Sequence, residues 1–321
     1  MAQQIAPLVY RDWSAGLNDS VCNYLLPDNY SRRLINCYTD ESNGNELGNI
    51  KGRKGQTILG NQIEAGKDVL GLHNFIDKTG TPTRLVATVN NLGDLTASTR
   101  YLNGSSWDEI GTVPTGWAAS TKMRFETFLD MVFAANGTDA IMSWDGTPTT
   151  NWLFTNATNA PRGSMIKNFQ DRLNIAGVAA NPSRVFYSSV PDVAGTGITW
   201  EDEYVDVNPD DNDFITALEV NAGIMLVFKK RSVYVWDGLS TQVDKIIDIG
   251  CVSQEAVQTV KGITIFFGET KGSAGIFMYT GQYPQEISRD IRKWIDAISS
   301  SNYDTISSFQ EEDAVIFSVG T

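Results

Sequence analysis

Asp206, Asn208 and Asp210 stand at alternate positions of an acidic run, WEDEYVDVNPDDNDF, from Trp200 to Phe214. Oxygen donors at positions one, three and five are how a calcium-binding loop begins. The rest of that pattern is missing. Position six is Asp211, where the sharp turn needs glycine, and position twelve is Ala217, where a bidentate glutamate belongs. The run therefore reads as a solvated loop leading into a strand, FITALEV, and no metal is assigned to it. Paired carboxylates can also cleave glycosidic bonds, but crowding of acids does not by itself match an acid to a nucleophile. A single histidine, His73, excludes multi-histidine metal centres and argues against a Ser–His–Asp site. It lies in a strand-like stretch, LGLHNFID, and reads as a packed structural residue. Three cysteines, Cys22, Cys37 and Cys251, form no disulfide framework and read as reduced thiols. The residues predict neither catalysis nor a cofactor.

The elements around these residues repeat. LDMVFAANGTDAIMSWDG, Leu129 to Gly146, recurs as GIMLVFKKRSVYVWDG, Gly223 to Gly238, and more loosely as ITIFFGETKGSAGIFMYTG, Ile263 to Gly281. Each is an apolar run, a polar turn, a second apolar run, then an aromatic residue and a turn ending in glycine. The closing aromatics, Tyr101, Trp144, Tyr187, Trp236 and Tyr279, are spaced by 43, 43, 49 and 43 residues. Four short strands every 40 to 50 residues are what the blades of a β-propeller give. The inner strands align from RLVATV at Arg84 to AVIFSV at Ala314, which predicts an all-β propeller of about six blades over residues 68–321, the last one incomplete. The Asp-box of sialidase propellers, Ser-x-Asp-x-Gly-x-Thr-Trp, is absent. Of five Asn-x-Ser/Thr sequons, at Asn18, Asn29, Asn103, Asn136 and Asn156, those at Asn103 and Asn136 are Asn-Gly pairs that fall where hairpin turns are needed, and with no secretory signal turn chemistry accounts for them without sugar. One helix is predicted, Glu286 to Ile298, capped by Ser288, with Ile287, Ile291, Trp294, Ile295 and Ile298 on one face.

Residues 1–67 show no repeat and little alternation, and read as an extended arm that packs on the propeller or on a neighbouring subunit. The formal net charge of −13 argues against a basic groove for sequence-specific nucleic-acid binding, while like charge would keep a passing duplex from sticking. No apolar stretch approaches the roughly 18 residues of a membrane span. The N-terminus lacks the basic-then-apolar order of a signal peptide, which predicts synthesis and assembly in the cytoplasm.

At this point the chain resembles a family. Tail proteins of tailed bacteriophages often begin with a GLN…LP…N…G…R.G signature. Here it falls on Gly16, Leu17, Asn18, Leu26, Pro27, Asn36, Gly44, Arg53 and Gly55. A DRL…VYYS..P unit is matched by QDRLNIAGVAANPSRVFYSSVPD, Gln170 to Asp192, and a following I..L…L.VFK..S.Y unit by DDNDFITALEVNAGIMLVFKKRSVYVWDG. IGCVS at Ile249 to Ser253 and EISRDI at Glu286 to Ile291 complete the order, which covers most of the chain. The chain is similar to the β-propeller nozzle, tail-tubular and phage-stabilisation proteins of short-tailed phages. That resemblance implies a virion tail protein. It implies a ring of identical subunits, commonly six, below the portal and adaptor, conducting genomic DNA through its lumen. The arm residues Gly16, Leu17, Asn18, Leu26, Pro27, Asn36, Arg53 and Gly55 would then serve assembly. A second function compatible with a propeller is a receptor- or glycan-binding tail module, with Trp107, Trp117 and Trp152 offered for sugar stacking; blade-edge packing is the competing role for the same tryptophans. A glycoside hydrolase is the weaker third reading.

The last residues, FQEEDAVIFSVGT, repeat FLDMVFAANGT almost position for position. A strand left at that point would expose an unpaired edge. The expectation is that the natural chain continues, or that the arm or a neighbouring chain supplies the missing strand.

Overall fold

A computed structural model describes residues 16–20, 26, 30–31, 37–40, 49–52, 59–80, 83–91, 96–111, 117–153, 158–192, 197–270, 273–311 and 314–319; of 37–40 and 49–52 the backbone alone is described. Among these, strands follow one another as antiparallel meanders. Blade one runs Val69–Ile76, Thr83–Asn90, Thr96–Asn103 and Ser106–Glu109, blade two Arg124–Phe128, Met131–Ala135 and Met142–Trp144. Blade three runs Met165–Phe169, Arg172–Ala176, Arg184–Tyr187 and Tyr204–Asp206, and blade four Ile215–Asn221, Ile224–Lys229, Val233–Trp236 and Asp244–Ile247. Blade five is built on Val257–Val260, Ile263–Thr270, Ser273–Tyr279 and Gln285–Glu286; a sixth sheet pairs Ser307–Glu311 with Ala314–Ser318.

The first strands of successive sheets are neighbours in chain order, and residues of all six line one common cavity of about 780 Å³. Sheets arranged radially about a shared channel make a β-propeller. The second strands of blades two to four, Met131–Ala135, Arg172–Ala176 and Ile224–Lys229, are buried on both faces and so lack the in–out alternation of a half-solvated sheet. In blade three Met165 packs toward blade four with Leu218 and Trp236, while its neighbour Ile166 packs toward blade two with Phe128 and Phe133.

The repeated Trp-Asp-Gly ending has a physical cause. The Trp144 indole N–H donates to the Thr147 carbonyl at 3.0 Å, and that of Trp236 to Ser240 at 2.7 Å. The following aspartates accept from their own turns: Asp145 from the Thr147 amide, Asp237 from those of Leu239 and Ser240. The glycines hold φ near 80°, and a Cβ at Gly146 or Gly238 would run into the Phe75 or Phe169 ring. Those phenylalanines come from the first strand of the preceding blade, so the motif locks one blade onto the next.

Four hairpins between first and second strands share a turn that the sequence hid. Leu129–Asp130, Gln170–Asp171, Ala222–Gly223 and Lys261–Gly262 all have positive φ at both central residues, as a type I′ turn requires. Such φ values favour Gly, Asn and Asp and cost other residues about 1 kcal/mol or more. Ala222 is exposed, with φ 48°. Ala222→Asn should therefore stabilise the protein by roughly 0.5–1 kcal/mol, read as a higher urea midpoint at unchanged slope.

The C-terminal helical region is shorter than expected. A 3-10 turn, Arg289–Ile291, leads into a five-residue helix, Arg292–Asp296. Ile291, Ile295 and Ile298 turn inward, but Ile287 and Trp294 are exposed. The Ser288 hydroxyl makes no cap; it accepts from the Ile276 amide and so ties the turn to blade five.

Candidate functional site

Gly16 and Leu17 pair in parallel with Tyr30 and Ser31. Asn18 follows and is buried. Its amide N–H donates to the Ser31 carbonyl at 2.8 Å, and its side-chain Oδ1 accepts from the Ser20 amide at 3.0 Å and hydroxyl at 2.9 Å. Its Nδ2 donates to Asp290 Oδ1 at 3.3 Å, and the next amide, Asp19 N–H, donates to the Asp290 carbonyl at 2.8 Å. The GLN segment and the EISRDI segment, at opposite ends of the chain, thus form one clamp. Leu26 is half-buried; Pro27, Asn36, Gly44, Arg53 and Gly55 lie outside the described residues.

The other shared motifs hold blades together. Arg172 donates to the Ser188 carbonyl at 3.1 Å and to Glu203 at 2.9 Å, with its guanidinium over the Tyr187 ring. Gly250 presses on the turn after Lys229: a Cβ there would stand 2.1 Å from the Lys230 carbonyl carbon. The Thr216 hydroxyl donates to the Cys251 carbonyl, and the Ser253 hydroxyl to that of Ile306. Burial pushes the Cys251 thiol up to about 12, so it stays an unreactive core group.

The acidic loop carries its own cation. The Lys229 ammonium is fully buried and donates to Asp211 Oδ1 at 2.7 Å, the Asn208 carbonyl at 2.9 Å and Ser183 Oγ at 3.1 Å. Three acceptors use all three of its protons. Burial pushes the Asp211 carboxyl up, but hydrogen bonds from Lys229, the Asp213 amide and Tyr234, with the Lys229 charge, hold it below the ordinary range. Asn208 and Asn212 take the left-handed backbone that bends the loop around it. Of the alternating trio Asp206–Asn208–Asp210 only Asn208 meets the ammonium, through its backbone carbonyl, while Asp206 accepts from Arg184; the acid on the ammonium is Asp211. Among the described residues no group of three His, Cys, Asp or Glu side chains is placed to hold a metal.

The channel is charged but internally neutralised. Lys167 from blade three donates to Glu219 of blade four at 2.8 Å, and Arg124 and Lys122 of blade two pair with Glu255 at 2.8 and 3.3 Å. Glu126 shares the channel, and burial pushes its carboxyl up to about 7 against the pull of Lys167 and an Asn168 backbone hydrogen bond. His73 behind it bonds Thr127 Oγ1 at 2.7 Å and stacks on Phe125; burial, with the Lys167 charge, lowers its imidazole to about 4. An acid with a raised native pKa stabilises the fold below its unfolded value and loses that stabilisation as pH rises through the native one. Glu126→Gln should thus raise stability at pH 8 and leave it unchanged at pH 4. Glu126 is only half-buried, so solvent screening trims the gain to about 1–2 kcal/mol, readable from urea midpoints across that range.

Two of the three tryptophans offered for sugar stacking are core residues: Trp117 is 1 % exposed and Trp152 fully buried. Trp107 donates its indole N–H to the Asn61 carbonyl at 3.0 Å. Asn136 is buried, and its Oδ1 accepts the Thr138 and Asp139 amides, so it serves its turn.

Neither a described protein family nor a curated protein matches the sequence. Among solved structures, the β-propeller domain of the Trilobed protease from Pyrococcus furiosus aligns at 12 % identity and a TM-score of 0.38, over 78 % of this chain and 79 % of that one. Two structures of the extracellular domain of a B. thetaiotaomicron protein, described as a one-component or hybrid two-component system, align at 9 % and 10 % identity with TM-scores of 0.35. Both alignments cover 78 % of this chain, which spans 37 % and 36 % of the length of those two.

Proposed function

We propose that the chain is a structural, non-enzymatic component of a short-tailed bacteriophage tail, forming a nozzle or tail-tube ring below the portal and adaptor. The observation that carries this reading is the clamp between Asn18–Asp19 and Asp290. Two segments of the tail-protein resemblance, distant in sequence, touch in the fold. The remaining shared motifs are spent on blade geometry rather than on a reactive cleft, which is the economy of a scaffold. The net charge of −13 suits a conduit, since like charge repels phosphate and lets a duplex slide. The propeller channel, a space of about 780 Å³ lined by paired charges, is too small to admit a duplex, so the DNA path in such a ring would run between copies.

The reading is tested in the native particle. Imaging should place this chain in a closed ring on the tail axis, and deleting residues 1–67 should leave a soluble propeller that no longer joins particles. Absence of the chain from purified virions, or normal incorporation of the truncated chain, would overturn it. Purified protein should release no reducing sugar from polysaccharide or peptidoglycan.

A further inference from the structure

Two outer rims of the propeller expose apolar side chains among charges of opposite sign. On blade five Tyr283, in the turn before the outer strand, is 71 % exposed, and Ile287, just after that strand, 48 %. Trp294, 60 % exposed, joins them from the short helix that packs on the same blade. Arg289 and Lys293 stand exposed beside it, and Lys293 pairs with no acid among the described residues. The acids nearby are engaged: Glu286 by Arg289 and Arg292, Asp296 by Arg292, and Asp290 by Asn18. On blade three the chain between the outer strands runs out and back. There the Ser189 amide donates to the Thr199 carbonyl and the Asp192 amide to that of Gly197. This hairpin and the strand after it expose Val190, 51 %, and Tyr204, 42 %. Glu201 and Asp202 flank them, exposed and paired with no base among the described residues.

Large aromatic and aliphatic side chains left in water beside unpaired charges are the composition of an interface. The two rims differ, so they do not suit a two-fold contact, in which one patch meets its own copy. They do suit each other, with lysine and tryptophan on one and acids and tyrosine on the other. Their angle fits as well. Six sheets share one turn about the channel, about 60° each, so the rims of blades three and five diverge by about 120°. That is about the corner angle of a closed ring of six subunits.

We propose that the blade-five rim of one copy docks head to tail on the blade-three rim of the next, and that six such contacts close a ring. The inference rests on the ring reading above, whose interface it names. Trp294 is the anchor, seated on Val190 and Tyr204, and Lys293 reaches Glu201 and Asp202. Blade four lies between the two rims and is turned to the lumen. Asp237, Asp244 and Asp248, exposed there against Lys245, give the lumen an acidic lining. Leu239, on the same blade-four rim, stays out of the contact.

The test is sedimentation of the purified full chain beside three variants. Trp294→Asp and Val190→Asp should each weaken self-association by about tenfold or more, and Leu239→Asp by less than about twofold. All three side chains are exposed, so unchanged urea midpoints show that the variants fold. Mixing the Trp294 and Val190 variants should give one-to-one dimers, since each retains the rim that the other has lost; a two-fold contact gives none. A native chain that stays monomeric, rim variants that assemble like the native chain, or a mixture that stays monomeric overturns the proposal. Imaging of the particle separates it from the tail reading. A virion ring joined through other rims overturns this interface alone, whereas a chain that assembles in this way in solution but is missing from virions overturns the tail reading instead.

Discussion

Replacing Lys229 with methionine should cost about 3–5 kcal/mol, the loss expected when one partner of a buried ion pair is removed and the other is stranded. The ammonium is fully buried, and its three acceptors come from blade three, the loop backbone and Asp211. Methionine keeps the stem but leaves the Asp211 carboxylate with only the Asn208 amide, the Asp213 amide and the Tyr234 hydroxyl. Adding Asp211→Asn removes the stranded charge and should recover roughly half of the loss, which a double-mutant cycle by urea unfolding would read. Lys230→Met, one residue on and exposed, should stay within about 0.5 kcal/mol. Calcium should not raise the melting temperature of the unmodified protein, because the loop already holds a cation. Equal effects at 229 and 230 would refute the buried-cation account.

Trp152→Ala should cost a similar 3–5 kcal/mol. The indole is fully buried between blades one and two, edge-on to Trp117 at 5.6 Å and near Trp144 and Phe125, and its N–H donates to Thr99 Oγ1 at 2.6 Å. Trp152→Phe keeps most of the apolar contact but leaves the Thr99 hydroxyl without its donor. It should cost about 1–2 kcal/mol, close to the penalty of one lost buried hydrogen bond. A sugar-stacking role predicts the reverse: both variants near native in stability, with loss of glycan affinity. Urea midpoints together with a glycan titration of the native protein separate the two.

How far these features could be read from the chain depends on whether their cause is local. Trp144–Asp145–Gly146 and Trp236–Asp237–Gly238 announce themselves because the turn, the aspartate bonds and the aromatic contact all impose residue type within a few positions. The period of the blades was therefore legible. The type I′ turns at Leu129–Asp130 and Gln170–Asp171 were not, since neither pair has the Asn-Gly chemistry that marks such turns; packing of the flanking strands holds them in a backbone that their own preferences oppose. Lys229 sits in FKKRS, where a run of basic residues reads as solvated surface. Only the fold brings it under Asp211, and no spacing rule relates positions 211 and 229. The Asn18–Asp290 clamp joins residues at opposite ends of the chain, so each motif was visible and their meeting was not.

The placement of the apolar clusters between sheets, rather than within them, sets how the molecule responds to load. A blade pulled from the middle of the array must open the cores on both of its sides at once. The sixth sheet packs on blade five through Phe317 and Ile306 and shows an uncovered face on its other side. A force drawing on the C-terminus should therefore peel that sheet first and at the lowest tension, leaving blades two to four intact, so that mechanical failure runs along the array from one end.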